Sequence, residues 1–245
     1  QYVYWRRKGV IMSKLSHDKV VSKETVVSLF KSNLSYMTGG FGPAGYPSML
    51  YDWLYETDVK DITLITNGVN PPDYPYQVGF AKLVHEYRVK KLILTHCAPN
   101  PNIGRIMNEG RMEVEVVPQG TFGERIRAGG YGLGGVLTPT GIGTPMQDGK
   151  QVVNVLGKDY ILELPMTADI CMIRAEKCDK MGNCMFRHVS RSVNQVMPFA
   201  CKTVIVEVPE GQVVEVGEMK DNEVMLPGVV VDYIVTVPEG RAMLP

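Results

Sequence analysis

Short runs of β-branched and aliphatic residues alternate with stretches of helical periodicity along this chain, and nothing else constrains its fold as tightly. Residues 62–66 (Ile-Thr-Leu-Ile-Thr) and 92–95 (Leu-Ile-Leu-Thr) have the unbroken apolar character of strands buried on both faces. Runs at 152–156, 160–164, 170–173, 203–206 and 229–237 read the same way. Residues 23–32, 47–55, 79–87 and 122–128 instead space their apolar side chains for helices. Alternation of this kind specifies βαβ units, hence a layered α/β fold with a largely parallel sheet and flanking helices. Sheets of that type bind ligands in the loops at the carboxyl ends of their strands.

The 245 residues are read as a single domain over 12–245, preceded by an N-terminal extension or expression remnant at 1–11. That leading stretch joins three aromatics to Arg6-Arg7-Lys8 and lacks the long apolar region of a secretory signal, while Met12-Ser13-Lys14 looks like a natural start. Lys plus Arg, 26 in all, equal Asp plus Glu. Such balance argues against nucleic acid or an acidic membrane surface as a general partner. No apolar run approaches the roughly 18 residues of a bilayer span. The five cysteines are odd in number and follow no framework spacing, which suits reduced thiols and a cytoplasmic protein.

Three places on this frame bear chemistry-capable residues. Thr38-Gly39-Gly40-Phe41-Gly42-Pro43-Ala44-Gly45-Tyr46-Pro47 follows the apolar patch 34–37 and precedes a helical stretch. Strand, glycine loop and helix can present backbone N–H groups to an anion, or can simply make a tight structural turn. The phosphate-loop Gly-Lys-Ser/Thr is missing. Asn67-Gly68 and Asn70 end the 62–66 strand, either as plain turn chemistry or as part of a site on the favourable edge. Gln119, in Val117-Pro118-Gln119-Gly120-Thr121, stands between a strand and a helix, where its amide can meet a ligand oxygen or merely the surface.

The tract 128–144 carries glycine at 129, 130, 132, 134, 135, 141 and 143. Tyr131, Leu133, Val136, Leu137 and Ile142 are interspersed where a flexible linker would carry Ser and Lys. It therefore reads as a structured loop near a ligand or partner. Cys178, Cys184 and His188 lack the close cysteine pair and fourth ligand of a structural zinc site, so no metal is expected. His85 on a helix and His96 at a strand end read as structural or solvated. No Ser-His-Asp order or Gly-x-Ser-x-Gly elbow supplies a nucleophile.

Taken together, these segments resemble the α subunit of family I (3-oxoacid type) CoA-transferases from about Ser22 onward. The glycine signature corresponds to Gly39-Gly40-Phe41-Gly42 with Gly45 and Pro47, and the longest shared block to Pro118-Gln119-Gly120-Thr121 with Glu124-Arg125-Ile126-Arg127-Ala128-Gly129-Gly130. Thr138-Pro139-Thr140-Gly141-Ile142-Gly143-Thr144, Ala168-Asp169, Asp179-Lys180, Gly182-Asn183, Glu207, Glu215-Val216-Gly217-Glu218, Pro227-Gly228 and Val231-Asp232 follow in order. Three positions depart: Ser32-Asn33 replaces an Asp-Gly or Asn-Gly pair, Thr38 replaces an aliphatic residue, and Thr66-Asn67-Gly68-Val69-Asn70 replaces a Ser-Asn-Asn-Ala-Gly-like segment.

The resemblance implies transfer of coenzyme A from an acyl-CoA to a short-chain or 3-oxo acid, with acetoacetate and butyrate or acetate the expected acids. It implies coenzyme A as a substrate and no permanently bound cofactor. The family's nucleophile is a glutamate in a Ser-Glu-Asn-Gly context on the β subunit, and no such sequence occurs here. An obligate β subunit, in an α₂β₂ or larger assembly, is therefore expected. Gln119 and Asn67 are expected as amide donors at the acyl pocket, with Gly39, Gly40, Phe41, Gly42, Gly45 and Gly135 against substrate or CoA. Rival expectations are a sugar-phosphate isomerase or deaminase, active without a partner, and a non-catalytic small-molecule sensor domain.

Overall fold

A computed structural model describes residues 17–238 apart from 43, 72, 75, 76, 98 and 99, so the leading segment 1–11 and the start at Met12 lie outside the described residues. In chain order come α1 (Lys23–Val27), β1 (Ser35–Thr38), α2 (Ser48–Glu56), β2 (Ile62–Thr66), α3 (Val78–His85), β3 (Val89–Leu94), α4 (Pro101–Asn108) and β4 (Glu113–Val116). Next are α5 (Gln119–Tyr131), β5 (Val136–Thr138), β6 (Val152–Val155), β7 (Lys158–Glu163), β8 (Ala168–Arg174), β9 (Lys177–Asp179) and β10 (Cys184–Met185). Two 3₁₀ segments, His188–Gln195 and Met197–Ala200, lead into β11 (Cys201–Pro209), β12 (Val213–Val214) and β13 (Tyr233–Val237).

Seven strands form one sheet in the order β13-β11-β8-β1-β2-β3-β4, and every adjacent pair is parallel. This is the layered parallel architecture that the alternation predicts. Side chains alternate across the sheet with period two. Tyr36, Leu64, Leu92, Ile170, Met172 and Ile205 face a core shared with α1 to α4. Met37, Ile65, Ile93, Cys171, Ile173 and Val206 face a second core beneath α5 and the 3₁₀ segments.

The runs 152–156 and 160–164 are a correction to the sequence reading. They are strands, but they form an antiparallel hairpin in a separate sheet of order β5-β7-β6, and much of β6 is exposed. The hairpin turns through Leu156 and Gly157, whose φ values of 51° and 84° suit a tight two-residue connection. A leucine at the first position hides that turn from a search for Asn-Gly. Residues 229–237 are strand only from Tyr233, because Gly228–Val230 is a 3₁₀ turn. The first helix stops at Val27 rather than 32, where the Ser28 hydroxyl donates to the Thr25 carbonyl (2.7 Å) and competes with helix propagation.

The glycine-rich tract 128–144 is also not one loop. Its first residues complete α5, which carries four glycines in 13 residues, and β5 follows. Glycine normally weakens a helix interior by about 1 kcal/mol relative to alanine. Two of these glycines have a packing reason: a Cβ on Gly129 would lie 2.2 Å from the Met166 carbonyl oxygen, and one on Gly130 2.7 Å from Phe199 Cβ. A Cβ on Gly123 would meet nothing within 4 Å. Chemical unfolding should therefore separate them: Gly129→Ala destabilises by about 1–3 kcal/mol through overpacking, whereas Gly123→Ala stabilises by up to about 1 kcal/mol.

Candidate functional site

Because β8, β1, β2, β3 and β4 are adjacent and parallel, the segments leaving their carboxyl ends share one rim. Those segments are the glycine loop 39–47, the stretch 67–70, the stretch beginning Thr95-His96, and the Val117-Pro118 junction into α5. Asn67, Thr95 and Val117 stand level across the sheet, as the registers Ile65↔Ile93 and Leu94↔Val116 require. Asn67 and the start of α5 are thus two strand spacings apart, about 10 Å at the backbone.

Asn67 is 2% exposed and held rigidly. Its carbonyl accepts from the Thr95 N–H (3.1 Å) and from the Thr95 hydroxyl (2.7 Å), while its Oδ1 lies 3.4 Å from that hydroxyl. Its Nδ2 donates to none of the described residues. The next residues are pinned from the opposite side: buried Gln77 donates from Nε2 to the Gly68 carbonyl (3.1 Å) and accepts from Asn70 at N (2.7 Å) and Nδ2 (2.9 Å). Gly68 has no left-handed φ, so turn geometry does not explain it. Space does, since a Cβ there would lie 3.0 Å from His96 Cε1.

Gln119 is the first residue of α5, which no side chain caps, and it is exposed at the rim. Its amide makes no hydrogen bond to the described residues, so the two amides predicted from sequence stand on one edge with their N–H groups uncommitted. Gly135 is not brought there. It follows the far end of α5 and packs on β7, where a Cβ would lie 2.8 Å from the Glu163 carbonyl oxygen.

The glycine loop is largely filled by the protein itself. A Cβ on Gly39 would fall 1.5 Å from Asn194 Oδ1, one on Gly40 (φ 114°) 2.1 Å from the Tyr46 ring, and one on Gly45 2.8 Å from Asn194 Nδ2. Fully buried Asn194 donates to the Gly45 carbonyl (3.1 Å) and the Ser190 carbonyl (2.8 Å), which ties the loop to the first 3₁₀ segment. Phe41 and Ala44 exchange backbone hydrogen bonds of 2.9 and 3.1 Å, leaving 37%-exposed Phe41 and open-sided Gly42 at the tip. Tight-turn packing thus explains Gly39, Gly40 and Gly45.

The helix behind the loop is not a free anion site either. Its Met49 and Leu50 N–H groups donate to Glu207 Oε2 (2.9 and 3.1 Å). Glu207 Oε1 accepts from Arg174 Nη1, in a pair that is 5% exposed on the arginine side and fully buried on the glutamate side. Burial pushes the Glu207 carboxyl up, against the opposing pull of Arg174 and the two N–H donors. The anion that caps α2 is the protein's own carboxylate. Sequence reasoning missed Arg174 and Asn194; the readable signal was opposite charges interrupting two apolar strand runs, Arg174 after 170–173 and Glu207 after 203–206.

Cys178 and Cys184 are cross-strand neighbours on β9 and β10, and burial raises both thiols. Exposed His188 does not join them, and among the described residues no group of three His, Cys, Asp or Glu is arranged to hold a metal ion. No helix of the described residues is long and apolar enough to cross a membrane.

Residues 20–236 match the family model for coenzyme A transferase. The chain is 40% identical over 222 residues to the α subunit of the acetoacetyl-CoA:acetate/butyrate CoA transferase of Clostridium acetobutylicum, covering 91% of this chain and 99% of that one. It is likewise 40% identical to the α subunit of the acetate CoA-transferase of Escherichia coli K12, with the same coverage. It is 38% identical to the corresponding subunit of the 3-oxoadipate CoA-transferase of Acinetobacter baylyi, over 88% of this chain and 93% of that one. Among solved structures, an acyl-CoA transferase from Escherichia coli O157:H7 superposes with a TM-score of 0.78 at 20% identity, over 94% of this chain and 50% of that one. This chain therefore spans about half of that single polypeptide. Glutaconate coenzyme A-transferase from Acidaminococcus fermentans superposes with a TM-score of 0.77 at 16% identity, over 91% of this chain and 77% of that one.

Proposed function

The chain belongs to the coenzyme A transferase family as an α subunit, and from that premise we propose that it supplies the amide donors of an acyl-transfer site whose nucleophile is a glutamate on a β subunit. The observation that carries the proposal is Asn67: a buried, doubly anchored residue at the carboxyl rim whose Nδ2 donates to no described residue. Gln119 offers a second amide on the same edge.

In this reading the partner's carboxylate attacks the acyl-CoA carbonyl, and the C–S bond breaks to give an acyl-glutamyl anhydride and CoA thiolate. The thiolate then attacks the glutamyl carbonyl, releasing the first acid and leaving a glutamyl-CoA thioester. The acceptor acid regains CoA by the reverse steps, so atoms and charge balance without a redox cofactor or metal. Each attack places negative charge on a carbonyl oxygen, and fixed N–H donors stabilise that charge more than they stabilise the ground state. The preferred acids are acetoacetate with butyrate or acetate, consistent with the names of the 40%-identical relatives. Gly42 and Phe41, at the open tip of the glycine loop, meet substrate or CoA, with Gly39, Gly40 and Gly45 shaping that tip. The assembly is α₂β₂ or larger, and the enzyme works in the cytoplasm.

The test is to purify the chain with its cognate β subunit, then follow CoA exchange among acetoacetate, butyrate, acetate, succinate and 3-oxoadipate. Exchange is expected with the three monocarboxylates ahead of the two dicarboxylates. A preference for either dicarboxylate would overturn the substrate assignment, and a stable complex that exchanges no acid would overturn the function.

A further inference from the structure

We propose that Thr95 and His96 are positioning residues that fix the backbone from which Asn67 presents its amide, through a relay running from His96 to Thr95 to the Asn67 carbonyl. This rests on the reading of Asn67 as the acyl-pocket donor. Proton arithmetic gives the relay its direction. The Thr95 hydroxyl has one hydrogen, and its shortest contact to an obligate acceptor is the Asn67 carbonyl at 2.7 Å. Its oxygen also lies 2.8 Å from His96 Nδ1, so that nitrogen must carry the hydrogen it shares with Thr95. His96 is thereby fixed as the Nδ1–H tautomer, with Nε2 bonded to none of the described residues.

The surroundings are built for this arrangement. Gly68 is bare where any Cβ would meet the imidazole at 3.0 Å from Cε1 and 3.2 Å from Nε2, so the ring lies directly over the residue after Asn67. Thr95 grips the Asn67 carbonyl twice, from N and from Oγ1. Gln77 holds the Gly68 carbonyl, so the backbone is anchored at two successive residues, Asn67 and Gly68. A donor aimed in advance loses little reorganisation energy when charge develops on the substrate oxygen.

The test uses the assembled enzyme with its β subunit. Thr95→Val keeps the shape and removes the hydroxyl; kcat should fall about tenfold, the scale of one lost hydrogen bond in a network, with KM for acyl-CoA little changed. Thr95→Ser should restore most of the rate. In an Asn67→Ala background Thr95→Val should cost little more, because the relay then has nothing to aim. Independently, ¹⁵N spectra of histidine-labelled enzyme should show His96 as the Nδ1–H tautomer and show that preference lost in Thr95→Val. Wild-type kcat in Thr95→Val beside an impaired Asn67→Ala overturns the relay and leaves the donor role of Asn67 standing. Unimpaired Asn67→Ala overturns the donor reading itself. An Nε2–H tautomer for His96 overturns the relay in either case.

Discussion

Glu207→Ala is expected to destabilise the chain by about 3–5 kcal/mol, the range for removing one partner of a buried ion pair. Two losses combine in that substitution. Arg174, 4% exposed and with Nη2 already lacking a partner, would keep its charge in the core without a counter-ion. The Met49 and Leu50 N–H groups would lose the acceptor that caps α2. Glu207→Gln retains an acceptor for those N–H groups and should be milder. The double variant Arg174→Met with Glu207→Leu removes both charges together and should be more stable than Glu207→Ala. Urea unfolding of the four proteins reads this out directly. A Glu207→Ala chain within about 1 kcal/mol of wild type would show that the pair and the cap carry no such weight. Because α2 starts where the glycine loop ends, Glu207→Ala should also loosen that loop, with a raised KM for acyl-CoA in whatever enzyme still assembles.

Gln119→Ala and Asn67→Ala are expected to lower kcat of the assembled enzyme by about 10²–10³ each, the usual consequence of losing one preorganised oxyanion donor. The two differ in collateral effect. Gln119 is exposed at the start of α5 and bonds to no described residue, so its loss should leave folding and assembly with the partner unchanged. Asn67 is buried against β3, and Asn67→Asp is the sharper variant: it keeps the volume and the oxygen facing Thr95 but replaces the donor with an acceptor. A fall in kcat at nearly constant KM marks an interaction made mainly in the transition state. Full activity in Gln119→Ala would remove that residue from the site.

The parallel sheet was legible from the sequence because its central strands are buried on both faces and read as unbroken apolar runs, as in 62–66 and 170–173. The small antiparallel sheet was legible only as strand: apolar β6 lies largely exposed, and its turn is Leu-Gly. Short β4, with Glu113 and Glu115 beside its valines, was legible only as an unbounded strand ahead of Gln119, and its pairing with β3 gives its range. The helical glycines of α5 looked like loop, because nothing local in Gly129-Gly130 announces the Met166 and Phe199 backbones and side chain they pack against.

The site divided along the same line. The rim positions of Asn67 and Gln119 were readable because strand-to-helix junctions of a parallel sheet fall on one rim, while their expected role as donors came from the family resemblance. The contacts around the rim were not, because Thr95 meets Asn67, Gln77 meets Gly68 and Glu207 meets Leu50 across sequence separations of 28, 9 and 157 residues. Several blocks that carried the family resemblance turn out to hold structure. Asp169 clips β1 to β8 by accepting from the Ser35 N–H (2.9 Å) and hydroxyl (2.7 Å). Asp179 accepts from both the N–H and the Nδ2 of Asn183 in the turn between β9 and β10.

The proposed function divides the labour, with donors on this chain and the nucleophile on its partner. Mass spectrometry of each separated chain, after the purified complex is incubated with acetoacetyl-CoA and quenched in acid, tests it most directly. The expected result is a CoA adduct on a glutamate of the β subunit, an unmodified α chain, and no adduct or exchange when the α chain is incubated alone. A CoA adduct on the α chain, or exchange catalysed by the α chain alone, would contradict it.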